Sequence, residues 1–218
     1  MKKGIIGALA LFLIIPMQAQ AVSGVGLELG YGMHQQSNTG SISGVGTFTP
    51  STGNGDMLWV ELEHPIPLIP NLRFTKSSFS LGDTTNALSA TQADIVAYYN
   101  LLDTGAVVDV GAGLRSTTAN VTILTVAQTP QQIPTPILFA HLAGKIPGLD
   151  LTVGYRYTGF TYQQINVADT DTYVNYQFAF GLGVQGGLRS NSLAFDYSGQ
   201  AISTSSNGVY IAVTYKLD

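Results

Sequence analysis

The chain of 218 residues has no cysteine, a single tryptophan, and only 9 Lys and Arg beside 13 Asp and Glu. Charged residues make up 10% of it, against about 25% in an ordinary soluble domain. The missing cysteines exclude a small domain held together by disulfides, and the scarcity of basic residues excludes a basic nucleic-acid binder. With so little charge for a wet surface, the chain must hide its apolar side chains in another way.

Long hydrophobic runs are also missing after the first residues. Beyond residue 17 no apolar run approaches the ~20 residues that a membrane-spanning helix needs, although the mean hydropathy is positive at +0.22. The sequence therefore excludes a helical membrane protein.

The first 21 residues have the three-part layout of a secretory signal. Lys2 and Lys3 supply a positive start, residues 4–16 are apolar, and Ala19-Gln20-Ala21 is a small-residue cleavage pattern. A hydrophobic anchor helix is the alternative, but the apolar stretch is short and ends at Pro16. We therefore expect a signal peptide over residues 1–21 and an exported domain over residues 22–218.

In the exported domain apolar residues recur with a period of two. Because successive side chains of a strand point to opposite faces, each such segment has one apolar face and one small or polar face. Five segments alternate clearly and five less clearly: 25–33, 106–115, 149–158, 174–185 and 209–217, then 57–63, 71–79, 91–101, 137–143 and 193–197. The pattern predicts ten strands, or eight if 193–197 and one weak neighbour are miscounted.

The segments between these strands differ in length and composition. We expect short connections and longer polar loops in alternation: 64–70, 103–104, 145–148 and 187–191 are short, while 34–56, 80–90, 116–136, 161–172 and 198–207 are long. Short turns on one side and long loops on the other are typical of outer-membrane barrels. A soluble β-sandwich is the alternative, but 5 Lys and 3 Glu are few for its wet faces.

The fold class predicted is therefore all-β, a transmembrane antiparallel up-and-down β-barrel of about ten strands in the bacterial outer membrane. Its apolar face meets lipid, because only a closed sheet pairs every backbone amide there without helices. Aromatic residues near strand ends are expected to form girdles at the two interfaces: Tyr31, Tyr98, Tyr99, Tyr155, Tyr157, Tyr173, Tyr215 and Trp59.

Nine charged residues are expected to face the lumen. They are the acids Glu28, Glu61, Glu63, Asp94, Asp109 and Asp196 and the bases Arg73, Arg115 and Arg156. Isolated charges in a low-dielectric interior are costly, so opposite signs should pair across the lumen. Two interpretations stay open: a filled, salt-bridged interior, or a narrow pore whose charges select solutes.

Two stretches resemble a known family. HPIPLIPNLRF over residues 64–74 resembles the proline-rich first turn of a family of small Gram-negative outer-membrane β-barrel proteins of unassigned function. YYNLLDTG over residues 98–105, followed by VDVGAGLR over 108–115, resembles that family's second hairpin. The resemblance implies an outer-membrane barrel; it brings no functional residues with it.

Candidate catalytic and metal-binding residues are few. Asp103-Thr104-Gly105 matches the tripeptide of retroviral-type aspartic proteases, but Asp and Gly also suit a tight turn, which is our interpretation. Asp169 and Asp171 flank one residue of an expected loop and fall short of a calcium loop. The three histidines, His34, His64 and His141, have no partner that the sequence identifies. We therefore predict no catalytic, cofactor-binding or metal-binding residue and no cofactor.

The function expected is that of an integral outer-membrane barrel with a structural, surface-interaction or narrow solute-passage role, rather than that of an enzyme. The alternative is an outer-membrane enzyme acting on lipid A, phospholipid or peptides. The partners expected are outer-membrane lipid and lipopolysaccharide, with the barrel assembly machinery and periplasmic chaperones during biogenesis. No nucleic acid is expected, and the barrel should be a monomer.

Overall fold

Ten antiparallel strands form a closed barrel in the computed structural model, which describes residues 25–48, 50–66, 68–83, 85–162, 165–197 and 199–217. The strands are β1 (Gly26–Ile42), β2 (Ser51–Glu63), β3 (Asn71–Gly82), β4 (Ala87–Asp103), β5 (Ala106–Ile123), β6 (Gln131–Lys145), β7 (Leu151–Tyr162), β8 (Ile165–Gln177), β9 (Leu182–Tyr197) and β10 (Gln200–Leu217). Two-residue strands at Gly46–Thr47 and Val126–Ala127 and a 3-10 helix at Ala179–Gly181 lie in the connections. The prediction of ten strands is confirmed, and the alternative of eight is wrong.

The first and last strands close the sheet. β1 pairs with β10 from Leu27 opposite Leu217 to Ile42 opposite Ile202. The start of β1 and the end of β10 therefore lie at one end of the barrel, which we call the terminal end; the opposite one is the distal end. The predicted signal peptide, residues 1–21, lies outside the described residues. Among the residues that are described, no helix is long and apolar enough to cross a membrane.

Outward-facing side chains are apolar over most of the half of the barrel next to the terminal end, with exposed Lys76 of β3, which is paired with Leu58, as a charged exception. We call this ring the belt; β1 contributes Leu29, Tyr31 and Met33 to it, and β10 contributes Val209, Ile211, Val213, Tyr215 and Leu217. Nine residues of a strand that is tilted as in a barrel span about 23 Å along the barrel axis. This is close to the height of the apolar band in outer-membrane barrels, which is about 25 Å. The outward parity predicted for these segments is confirmed.

On β1 and β10 the outward surface changes from apolar to polar at the same level. In β1 the change falls between Met33 and Gln35, and in β10 between Val209 and Asn207, and Gln35 pairs with Val209. Beyond it the outward residues of these two strands are Ser37, Thr39, Ser41, Ser205, Ser203 and Ala201. We call this distal, polar part of the outer surface the distal wall.

The long polar loops expected from the sequence are largely strands. β1 continues to Ile42 and β10 begins at Gln200, so residues 34–42 and 200–207 belong to the barrel wall. The strands are 12 to 18 residues long, more than the 9–11 residues that cross a bilayer. The connections at the distal end are accordingly short, at 43–50, 83–86, 124–130, 163–164 and 198–199.

One expected turn is also misplaced. The chain reverses at residues 178–181 and not at 187–191, because β8 ends at Gln177 and β9 begins at Leu182. Val174, Tyr176, Leu182 and Val184 all point outward, so the period of two runs through the reversal without a break. The tight turn predicted for Asp103-Thr104-Gly105 is confirmed: the strands on either side end at Asp103 and begin at Ala106, and Gly105 has a φ of 86°.

Two segments of the wall leave the regular ladder. β2 and β3 pair only from Leu62 opposite Leu72 to Met57 opposite Ser77. In the register of the described strands, residues 51–56 of β2 and residues 78–82 of β3 are therefore not paired with each other. β6 pairs with β7 only from Leu138 onward. Pro134 and Pro136 lie in the part of β6 before that point. Their missing backbone N–H groups cost least there, because this part of β6 does not pair with β7.

Candidate functional site: the barrel interior

Side chains of all ten strands fill the barrel interior at three levels. Starting from the terminal end, these are a proximal charge cluster, a central charge cluster and an apolar plug at the distal end. Each level is built by the inward parity of the strands, since every second side chain points into the lumen.

The proximal charge cluster comprises Glu61, Arg73, Arg156 and Asp171. Glu61 and Arg73 face each other on neighbouring strands and form an ion pair. Arg156 Nη1 donates a 3.2 Å hydrogen bond to Asp171 Oδ2, and its Nη2 lies 3.9 Å from Glu61 Oε1. The guanidinium of Arg156 also lies over the ring of Tyr173, 4.2 Å from the ring centroid. The guanidinium of Arg73 lies 5.9 Å from the ring centroid of Phe139, so each guanidinium is held by an acid and an aromatic face in the interior.

Trp59 lies on the same strand as Glu61, two residues further from the terminal end, and its side chain points into the barrel. Its indole Nε1 donates a 3.0 Å hydrogen bond to Glu28, and none of its surface is exposed. The ring lies directly over Gly30 on the neighbouring strand, where any β-carbon would overlap it. Glycine at this position therefore makes room for the indole.

His141 connects two further interior groups. Its Nδ1 lies 2.8 Å from Asp109 Oδ2, and its Nε2 lies 2.8 Å from the hydroxyl of Tyr173. All three side chains are buried. An acid, an imidazole and a hydroxyl joined by hydrogen bonds resemble a catalytic array in composition, but they are also buried neighbours whose two contacts stabilise the interior.

The central charge cluster comprises Asp94, Arg115, Asp169 and Arg189. Arg115 binds Asp94 through two hydrogen bonds, and its Nη2 lies 3.5 Å from Asp169. Arg189 binds Asp169 and donates a 2.9 Å hydrogen bond to Ser77 on the far side of the lumen. With two acids and two bases, this buried cluster is neutral overall.

Thirteen buried apolar residues form the plug at the distal end. They are Ile42, Phe48, Phe79, Leu81, Leu88, Ala90, Ala119, Val121, Ile133, Val167, Leu193, Phe195 and Ile202. They come from eight of the ten strands and from the first distal connection. Here the apolar side chains point inward and the polar ones outward, the reverse of the belt. The plug therefore covers the two charge clusters from the distal side.

Eight of the nine charged residues expected in the lumen lie on the inward face. Glu61, Arg73 and Arg156 meet in the proximal cluster, Asp94 and Arg115 meet in the central cluster, and Asp109 contacts His141. Glu28 contacts Trp59, and Glu63 accepts a 3.2 Å hydrogen bond from Tyr98. Asp196 departs from the expectation: it is exposed at the end of β9 and accepts a hydrogen bond from the Gly199 amide.

The pairing geometry also differs from the expectation. Arg73 with Glu61, Arg115 with Asp94, and Arg156 with Asp171 are cross-strand neighbours along the wall. The longer contacts of Arg189 with Ser77 and of Arg115 with Asp169 cross the interior. Neighbouring strands bring such pairs within reach because directly opposed side chains are only about 5 Å apart.

Several interior residues were missed by the sequence interpretation. Asp169 and Asp171 were expected in a solvated loop, and Arg189 in a turn, but all three are buried in strands. All three have odd residue numbers, as do their buried strand neighbours Tyr173 and Asn191. This regular spacing is the signal that could have identified them as interior residues. Trp59, Tyr98 and Tyr173, expected in interface girdles, point inward instead, whereas Tyr31, Tyr155 and Tyr215 are exposed on the outer face.

The terminal end has a small recess with a cavity volume of about 20 Å³. It is lined by Gly26, Leu27, Glu28, Glu61, Glu63 and Lys216. This volume is below the roughly 300–1,000 Å³ of small-molecule sites. Among the described residues, no group of three or more acids and histidines is arranged to hold a metal ion.

No family model and no curated protein matches this chain. Solved structures do match it. The outer membrane protease OmpT from Escherichia coli superposes with a TM-score of 0.60 at 9% identity, over 89% of this chain and 97% of OmpT. Ail of Yersinia pestis gives a TM-score of 0.40 at 8% identity over 87% and 99%. Neisserial surface protein A gives 0.40 at 14% over 89% and 100%.

The chain has the fold of a small Gram-negative outer-membrane β-barrel. This confirms, at the level of the fold, the resemblance carried by residues 64–74 and 98–115. At such low identity the likeness concerns architecture alone, because one fold hosts many functions. The residue roles of OmpT therefore do not transfer to this interior.

Proposed function

We propose that this protein is a closed barrel of the bacterial outer membrane that acts through its outer surface and not through its lumen. The observation that carries the proposal is the apolar plug, which covers the neutral, ion-paired central cluster from the distal side. A solute would have to displace both packed side chains and buried ion pairs. Such a filled interior makes a rigid wall, in line with the narrow bore of small barrels.

The proposed biogenesis follows from the fold and the leader sequence. Residues 1–21 direct export and are removed, periplasmic chaperones hold the unfolded chain, and the barrel assembly machinery inserts it as a monomer. The belt then contacts outer-membrane lipid, and its apolar surface supports this orientation.

The distal wall is the part that meets other molecules in this proposal. It rises beyond the belt into the sugar layer of lipopolysaccharide and exposes hydroxyl and amide groups in register across strands. Ser192, Ser205 and Thr39 form one such row on β9, β10 and β1. Neutral polar groups of this kind suit hydrogen bonding to sugars.

Conductance in planar bilayers tests the closed lumen. The purified full barrel should produce no stable current steps over a wide voltage range, while a 16-stranded porin in the same membrane conducts. Reproducible ohmic steps from the folded protein would overturn the proposal of a closed barrel and favour solute passage.

An outer-membrane enzyme is the second candidate, and one observation favours it. Asp109, His141 and Tyr173 form a hydrogen-bonded array whose composition suits hydrolysis. A His141→Gln variant, with His34→Gln as the matched control, should be compared with the wild type on phospholipid, lipid A and peptide substrates. Activity that is lost only in His141→Gln would establish the enzyme and refute the non-catalytic proposal.

A further inference from the structure

Bulky apolar side chains stand at the tips of the turns on the terminal end. Leu68, in the connection between β2 and β3, is 89% exposed, and Phe180, in the connection between β8 and β9, is 94% exposed. Both have a positive φ, of 72° and 63°. This backbone region disfavours residues with a side chain and is usually occupied by Gly or Asn. These two tips therefore combine an unfavourable conformation with unfavourable exposure to water.

The backbone of each tip is held in place while its side chain projects. The hydroxyl of Tyr99 donates a 3.0 Å hydrogen bond to the carbonyl of Leu68. In the other turn the Gln177 amide donates to the carbonyls of Gly181 and Leu182. The two projections are consequently fixed features of ordered turns.

Apolar tip residues occur in three of the four connections at the terminal end. These three connections also expose Ile66, Ile69, Ile146, Leu149 and Phe178, while the fourth, Thr104–Gly105, is polar and is preceded by exposed Leu102 in β4. We call this ring of turn residues the terminal rim. A single protein partner would cover one sector of the barrel, whereas a surrounding layer of lipid meets every sector.

The terminal rim is continuous with the belt. Phe178 packs edge-to-face on Tyr176, a belt residue, with ring centroids 4.9 Å apart. Leu149 lies two residues before Leu151, at the start of β7. At the distal end, in contrast, the exposed apolar tip residues Leu124 and Val126 belong to one connection, and the wall beneath them is polar.

We propose that the terminal rim is inserted in the bilayer leaflet that faces the periplasm, with Leu68 and Phe180 as anchors that set the depth of the barrel. The occupant of this surface is lipid, at the boundary of acyl chains and headgroups, where exposed apolar and aromatic side chains are stabilised. The inference rests on the proposed membrane location and adds the position of the turns relative to the lipid.

Single-cysteine labelling tests the anchors, because the native chain has no cysteine to remove. Nitroxides at Leu68→Cys and Phe180→Cys are measured in vesicles of phosphatidylethanolamine and phosphatidylglycerol by collision with oxygen and with a water-soluble nickel chelate. Ile211→Cys is the belt reference and Ser205→Cys the distal-wall reference. Both tips should match Ile211→Cys in their low nickel accessibility.

The outcomes separate the two proposals. If the tips match Ser205→Cys while Ile211→Cys remains shielded from nickel, the anchors are refuted and the membrane barrel stands. If Ile211→Cys is itself open to nickel, the membrane barrel fails.

Glycine substitutions give a second test that does not depend on a label. Leu68→Gly and Phe180→Gly should fold in detergent as well as the wild type does, but their folded yield in vesicles should fall several-fold. Leu124→Gly, which removes an exposed apolar residue of positive φ from the distal end, is the matched control and should lower neither yield. An equal loss in all three variants, or no loss at Leu68 and Phe180, would overturn the inference.

Discussion

The guanidinium of Arg115 donates two parallel hydrogen bonds, 2.7 and 2.6 Å long, to the carboxylate of Asp94 directly opposite it on the neighbouring strand. Both side chains are buried. A bidentate pair of this kind is strong and directional, but it compensates for a large cost of removing two charges from water.

Removing one member of this pair should therefore cost more than removing both. Asp94→Leu and Arg115→Met should each lower the free energy of unfolding by about 3–5 kcal/mol, because each leaves a buried charge without its partner. The double variant should lose less than either single variant, because it leaves no unpaired charge at this position. A double-mutant cycle by urea unfolding in lipid vesicles measures the difference; additive losses would show that the pair does not couple.

Near the terminal end, the sequence was sufficient to predict which side chains face the lumen and which face outward, because an apolar outer face and a small polar lumen require opposite residue types. Leu29 and Tyr31 alternate with Gly30 and Gly32. This alternation of apolar and small residues is the period of two that can be detected in the sequence. The placement of Glu28, Asp109 and Arg156 on the inner face followed from it. Cross-strand partners did not follow, because register between strands is set by pairing over the whole barrel and not by any one strand.

The distal half could not be predicted in the same way because the alternation changes phase there. In β9, Leu182 and Leu188 point outward to the belt, but Leu193 and Phe195 point inward to the plug. A change from even to odd apolar positions looks like a strand break, and the sequence accordingly predicts a turn where β9 in fact continues, at residues 187–191. In β1 both faces are polar from His34 to Ser41, so there is no contrast to detect and the segment resembles a loop.

The gap in register between β2 and β3 gives a second prediction. Gly55 lies between the imidazole of His34 and the carbonyl of Ser78, and a β-carbon there would overlap both. At Gly53 the nearest atoms, on Asn38 and Ser80, would be 3.3 Å from a β-carbon. Gly55→Ala should therefore destabilise the barrel by about 1–3 kcal/mol.

Gly53→Ala is the matched control for that variant and should cost clearly less. The measurement is the temperature at which each protein loses its compact, folded migration on a detergent gel. Equal transition temperatures for the two variants would contradict the close contact at Gly55.

The single tryptophan provides a third prediction, and the wild-type protein is sufficient for the first measurement. Trp59 faces the interior although its strand crosses the belt. Its fluorescence in vesicles should therefore be weakly quenched both by brominated acyl chains and by acrylamide in the water. A control with Trp59→Phe and Leu58→Trp moves the indole to the outer face, where brominated lipid should quench it strongly. Stronger lipid quenching of the wild type than of this control would contradict the inward placement.

The most direct test of the whole account is a nitroxide scan along β10, one cysteine at a time over residues 205–215, with the protein in lipid vesicles. Lipid outside and a filled lumen inside predict high oxygen and low nickel accessibility at 209, 211, 213 and 215. They predict low accessibility to both reagents at 210, 212 and 214, whose native side chains are buried, and high nickel accessibility at 205 and 207. Nickel accessibility at 210, 212 and 214 would contradict a closed interior, and nickel accessibility at 209–215 as a whole would contradict the membrane barrel.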